Sequence, residues 1–241
     1  AATYTAKFLA VPVVTPGGGV GGGGVPSGGT DEKDPSTEDI QDNVVPSGSA
    51  DSENVDKKII YDDVPGNSWY YDAVQYVTEF GLFQGVSNKR FEPDTTITRA
   101  MFVTALWRLE GKPAPESSNR FADVAHGAWY TDAVTWASAN DIVKGYSPNS
   151  FGPNDILTRE QLATILYRYA SYKGYDVTAE NDLTAFHDAS KISFWALTEA
   201  KWAVAEGLIT GVSETSFDPA GKASRAQVAM ILMRFVLNKV K

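Results

Sequence analysis

The sequence predicts a mainly α domain: three helix–loop–helix repeats in a pseudo-threefold arrangement, behind a disordered arm. Three observations predict it. From residue 61 the chain superimposes on itself three times. Each copy holds two short stretches whose apolar residues recur at helical spacing. Two short helices bury too little surface to be stable alone, so the copies are expected to share one core.

The arm comes first in the chain. Residues 3–14 alternate weakly and are rich in Thr, Tyr and Val, which reads as one strand, the remnant of a preceding β module. Pro16 to Gly29 is nearly all Gly, Pro, Val and Ser, the composition of a flexible spacer. Asp31 to Lys58 carries nine acidic and three basic residues and few aromatics, so disorder is expected. Setting this run and Lys7 aside leaves residues 59–241 with 21 acidic and 17 basic side chains, a net of −4 out of the whole chain's −9. The acidity is therefore mostly a linker property, and it disfavours nucleic acid as a partner. The expected boundaries are a strand over 1–15, a linker over 16–58, and repeats over 59–114, 115–180 and 181–241. The chain has no cysteine, which excludes disulfides, a Cys-ligated zinc and a thiol nucleophile. No run approaches the ~18 apolar residues of a membrane-spanning helix.

The repeats agree closely. The first runs Tyr61-Asp62-Asp63-Val64, Trp69-Tyr70, Gly85, Phe91-x-Pro93 and Thr98-Arg99-Ala100. The second has Phe121-Ala122-Asp123-Val124, Trp129-Tyr130, Gly145, Phe151-x-Pro153 and Thr158-Arg159-Glu160. The third has Phe186-His187-Asp188-Ala189, Trp195-Ala196, Gly211, Phe217-x-Pro219 and Ser224-Arg225-Ala226. Trp to Gly is 16 residues in every copy, Gly to Phe is 6 and Phe to Arg is 8; the Asp-to-Trp step is one longer in the third.

The first helix of each unit follows the Trp and ends near a glycine, as at Gly81 and Gly85. The second begins after Thr98, Thr158 or Ser224, hydroxyls suited to capping a helix start. Gln161 and Gln227 complete a capping box, which Met101 breaks in the first copy. Its apolar stripe is Phe102, Ala105, Leu106 and Leu109, matched by Leu162, Ile165, Leu166 and Tyr169, then Val228, Ile231, Leu232 and Phe235. These stripes are the expected seam of the domain.

Together, Phe-x-Asp-Val, Trp-Tyr, the glycine pair, Phe-x-Pro and Thr-Arg-Ala resemble S-layer homology (SLH) repeats, from residue 61 to about 236. The resemblance implies a three-pronged domain around a central helical bundle. It also implies binding of secondary cell-wall polysaccharides, commonly pyruvylated, in grooves between neighbouring repeats. The protein would then be extracellular, anchored to a bacterial wall.

The residues supply a reason of their own. Arg99, Arg159 and Arg225 each occupy the first helical position, where a cation opposes the helix dipole at a cost of about 0.3–1 kcal/mol. An unfavourable choice made three times needs an explanation. One is an anion site, in which free N–H groups at the helix start and the guanidinium grip a carboxylate together; a pyruvate ketal carries such a carboxylate. The other is an internal ion pair with Asp63, Asp123 or Asp188. Trp69, Trp129 and Trp195 suit sugar stacking and core packing equally, whereas Tyr76, Trp136 and Trp202 read as core. Gly85, Gly145 and Gly211 either admit a sugar close to the backbone or simply end helices. Arg108, Arg168 and Arg234 read as inter-repeat pairing residues. Glu160 is expected to compete for the charge of Arg159. One or two competent grooves are expected, with the Trp side of repeat three the weakest.

His126 and His187 fall at different offsets and read as surface residues, and no catalytic motif, metal-ligand set or cofactor signature emerges. A non-enzymatic wall anchor is the expectation. A lattice-assembly module without glycan binding, or the tail of a surface hydrolase, are the alternatives.

Overall fold

A computed structural model describes residues 61–239. The remnant strand and the linker expected over 1–58 lie outside the described residues.

The described chain forms six α-helices, two per repeat: α1 (Tyr71–Glu79), α2 (Arg99–Leu109), α3 (Thr131–Ala139), α4 (Arg159–Tyr172), α5 (Leu197–Ala205) and α6 (Arg225–Lys239). Two 3-10 turns, Ala189–Lys191 and Phe194–Ala196, accommodate the longer Asp-to-Trp step of the third repeat. No extended strand occurs among the described residues, only isolated bridges.

The hydroxyl caps behave as their chemistry dictates. Thr158 and Gln161 form a complete capping box. Ser224 and Gln227 exchange the same pair of bonds. Thr98 accepts only from the Met101 amide, because methionine has nothing to return. The first helix of each repeat ends on a left-handed residue: Gly81 (φ 63°), Asp141 (φ 56°) and Gly207 (φ 66°). Gly85, Gly145 and Gly211 do not adopt that conformation, so the helix-end explanation fails for them. A Cβ at Gly85 would stand 2.5–2.7 Å from the Tyr61 ring and the Ser87 and Arg90 carbonyls. Gly145 and Gly211 are crowded in the same way by their own repeats. They are glycines because backbone crosses backbone there.

The Phe-x-Pro loop carries strain that sequence spacing does not show. Its middle residue is left-handed in every copy: Glu92 (φ 57°), Gly152 (φ 72°) and Asp218 (φ 54°). Only one of the three is the glycine this region favours. The compensating contact comes from the repeat's aspartate. Asp63 accepts from the amides of Phe91 (2.9 Å) and Glu92 (2.8 Å). Asp123 does the same for Phe151 and Gly152 and adds the Ser150 hydroxyl, and Asp188 repeats the pattern on Phe217, Asp218 and Ser216. Each loop drives its phenylalanine into the core, where Phe91, Phe151 and Phe217 are fully buried.

The repeats join in a closed cycle. The second helix of each unit packs on the first helix of the next, α2 on α3 and α4 on α5, and α6 returns to α1. The expected seam of second-helix stripes is thus shared with the first helices. Between second helices, long side chains make the contact, as in Tyr169–Phe235 (5.7 Å between rings) and the Tyr169 hydroxyl donating to Glu110 (2.8 Å). At the hub, three backbone hydrogen bonds close a triangle. The Ile97 amide donates to Ala223 (3.2 Å), Ala223 to Leu157 (3.1 Å) and Leu157 back to Ile97 (3.0 Å). Buried with no water to substitute, these groups must pair with one another, which fixes the three units in register.

Candidate functional site

The arginines at the helix starts are the centre of the site, and they work across repeats. The Arg99 guanidinium donates from Nε to the Phe151 carbonyl (3.0 Å) and from Nη2 to that of Lys144 (3.1 Å). Arg159 reaches Phe217 (2.8 Å) and Thr210 (2.6 Å). Arg225 reaches Phe91 and Gln84, each at 2.6 Å. Each guanidinium also lies over the ring of that same phenylalanine, 4.6 Å away for Arg99 and Arg225 and 5.4 Å for Arg159.

Two expectations are corrected here. The helix-start amides are not free for a ligand. Those of Arg99 and Ala100 donate to Asp155 and Pro153, those of Arg159 and Glu160 to Gly221 and Pro219, and those of Arg225 and Ala226 to Thr95 and Pro93. The neighbouring loop fills the anion hole with carbonyl oxygens. Nor do Asp123 and Asp188 form close ion pairs with Arg99 and Arg159 among the described residues: like Asp63 they are engaged by their own loops, and they act on those two arginines only at longer range. Backbone donation, first from Phe217, holds the Asp188 carboxyl well below its ordinary range. Burial raises that of Asp123, but donation from Phe151, Gly152 and Ser150 outweighs it and the net direction is down.

Arg99 and Arg159 are buried cations held by carbonyls, with carboxylates acting on them only from beyond ion-pair distance among the described residues, so their charge is incompletely balanced. Desolvation pulls the guanidinium pKa of Arg99 and Arg159 downward, although arginine stays protonated. Each arginine opens on a groove.

The three grooves are built alike, from three repeats each. In one, Arg99 meets Gly145, Tyr146, Gln161 and Arg168 of repeat two and Trp195 of repeat three, around a cavity of about 240 Å³. In the next, Arg159 meets Gly211, Val212, Gln227 and Arg234 of repeat three and Trp69 of repeat one, at about 260 Å³. In the last, Arg225 meets Gln84, Met101 and Arg108 of repeat one and Trp129 of repeat two, and the cavity shrinks to about 10 Å³, room for roughly one water molecule. Met101 stands there where Gln161 and Gln227 line the open grooves. The constricted groove is thus walled by the tryptophan of repeat two, whereas repeat three's Trp195 borders an open one.

The fold therefore brings Arg99, Arg159 and Arg225 together with the tryptophans and with Gly145 and Gly211, though never within one repeat. Gly85 is buried and does not line the groove around Arg225. Trp69 is 61% exposed and Trp195 49%, so neither is core, and Trp129 is half-buried. Trp136 and Trp202 are buried as expected, with Tyr76 half-buried. Both histidines are exposed.

Sequence reasoning missed the second arginines, Arg108, Arg168 and Arg234, as groove residues. The signal was present. Nine residues at about 100° each place them half a turn from the first arginine. One helix thus sends its first arginine into the next repeat's groove and lines its own groove with the second. Arg168 and Arg234 make no hydrogen bond or ion pair with a described residue. Glu160 does not take the charge of Arg159 either; it accepts from the amide (2.9 Å) and hydroxyl (3.0 Å) of Ser193.

Comparison with known proteins agrees with this architecture. The S-layer homology domain family matches residues 60–101, 120–163 and 185–229. The chain is 31% identical over 180 residues to the exoglucanase XynX of Acetivibrio thermocellus, covering 73% of this chain and 16% of that protein. It is 31% identical over 176 residues to an amylopullulanase of Thermoanaerobacterium thermosulfurigenes, covering 71% and 9%. It is 35% identical over 174 residues to the surface-layer 125 kDa protein of Lysinibacillus sphaericus, covering 69% and 14%. The chain thus spans less than a fifth of the length of each of these relatives. It belongs to the S-layer homology domain family, as three tandem repeats, and is a cell-surface, cell-wall-associated module.

Proposed function

We propose that this domain anchors an exported protein non-covalently to the bacterial wall by gripping an anionic, pyruvylated secondary wall polysaccharide in its inter-repeat grooves. One observation carries the reading. Each open groove sets a buried guanidinium, with no acid in close ion-pair contact among the described residues, beside a second arginine and an exposed tryptophan. Those are the groups needed for a sugar bearing a carboxylate: charge-assisted donors for the acid and an aromatic face for the ring's C–H surface. Catalysis has no part in it. Relatives as different as an exoglucanase, an amylopullulanase and a surface-layer protein share this segment. That supports a role independent of any one activity, attaching whatever is joined to it.

Co-sedimentation with purified wall sacculi tests the reading, before and after chemical removal of the secondary polymer. Retention is expected on intact sacculi and lost on stripped ones. Equal retention on both would favour a protein-lattice contact and end the glycan reading.

A further inference from the structure

The three grooves differ in charge and in how their walls are held, and the differences converge on one of them. The groove around Arg99 is lined by three cationic residues, Arg99, Lys144 and Arg168, and no acidic one. At the position of Lys144 the other grooves have Gln84 and Thr210. The same groove has Tyr146, whose ring lies 4.6 Å from the Arg99 guanidinium and whose hydroxyl accepts from Gln161 (3.3 Å). The groove around Arg159 has Val212 at that place.

Its tryptophan is also held differently. Trp195 sits in the 3-10 turn Phe194–Ala196, at the end of the longer Asp-to-Trp step of repeat three. The turn has little packing of its own, since Phe194 is 95% exposed and Trp195 49%; only Ala196 is buried. What orients it is Glu160, on the first turn of α4, which receives both the amide and the hydroxyl of Ser193. The equivalent positions on α2 and α6 are Ala100 and Ala226, which cannot accept such bonds. The helix that forms the floor of this groove therefore clamps its own aromatic wall. A wall fixed in advance loses less entropy when a ligand binds.

Resting on the glycan reading above, we infer that the Arg99–Lys144–Tyr146–Trp195 groove is the principal site of the three, with Glu160 as its positioning residue. The groove around Arg159 is a weaker second site, and that around Arg225 does not bind. Lys144 and Tyr146 set the ranking, through one more charge and one more aromatic face.

The test uses the protein labelled with 5-fluorotryptophan and followed by fluorine NMR, with a methyl hexoside carrying a 4,6-pyruvate ketal as probe. The resonances are assigned by single substitution. Trp195 is expected to respond at the lowest probe concentration and Trp69 at a higher one, with Trp129 silent. E160A should raise the Trp195 midpoint about tenfold and leave that of Trp69 unchanged. E160Q keeps an oxygen acceptor and should recover most of the loss. K144T/Y146V should bring the Trp195 midpoint to that of Trp69. A response first at Trp69 or Trp129, or an equal effect of E160A on every groove, overturns the ranking alone. If no tryptophan responds to the ketal, the glycan reading falls and this inference with it.

Discussion

Arg225 donates from its Nε to the carbonyl of Phe91, a residue 134 positions earlier, at 2.6 Å. This bond joins the last repeat to the first, and its equivalents join the other two pairs. The arginines thus tie repeat to repeat at the edge of the grooves. One edge of the guanidinium binds the neighbour's backbone while the group borders the groove.

Truncating one of these arginines should lower stability measurably. Arg225→Ala leaves two carbonyls without their charged donors, an expected loss of about 2–4 kcal/mol in chemical denaturation. Arg225→Lys should recover only part of it, since an ammonium cannot reproduce the fork. A loss below about 0.5 kcal/mol for the alanine variant would show that the cycle does not depend on this latch.

The exposed tryptophans should separate from the arginines in the opposite sense. Trp69→Ala and Trp195→Ala remove side chains with about half or more of their surface in solvent. Unfolding free energies are expected to change by no more than about 0.5 kcal/mol, while retention on wall sacculi falls. Unchanged retention in the double variant would remove aromatic stacking from the account.

Crowding predicts the behaviour of the glycines. Gly145→Ala sets a methyl against the Ser147 and Ser150 carbonyls and the Phe121 ring, at an expected cost of about 1–3 kcal/mol. Gly66→Ala meets nothing within 4 Å and should be neutral within about 0.5 kcal/mol. Thermal and denaturant unfolding of the pair distinguishes packing from a general intolerance of substitution.

The loop aspartates predict an acid transition. Because the Asp188 carboxyl titrates lower in the folded state, its contribution is fully present above the ordinary carboxylate value of about 4. It is lost as pH falls from there through the depressed folded value. The melting temperature should therefore decline below about pH 4. Asp188→Asn should be less stable at neutral pH and show a shallower acid decline. A parallel decline in both proteins would place the acid sensitivity elsewhere.

Much of this was legible in the sequence. The spacing from Trp through Gly and Phe to Arg placed both helices of each repeat, and Thr158 with Gln161 announced the capping box that forms. What could not be read was which repeat each side chain serves. Sequence order puts Arg99 beside Asp63, whereas the fold gives it the carbonyls of Phe151 and Lys144. Self-similarity reports what each unit contains, and the cyclic pairing of α2 with α3 and α6 with α1 appears only when the chain closes. The left-handed Glu92 and Asp218 were hidden for a related reason: a carboxylate from the start of the repeat holds the loop where glycine would be expected.

The central claim is that the grooves recognise the acid of a pyruvylated wall sugar. Calorimetric titration of the domain with secondary wall polymer, before and after mild-acid removal of its pyruvate ketals, tests it most directly. Removal should weaken binding at least about tenfold, as expected when a buried guanidinium loses its charged partner. Equal affinity for the two polymers would contradict it.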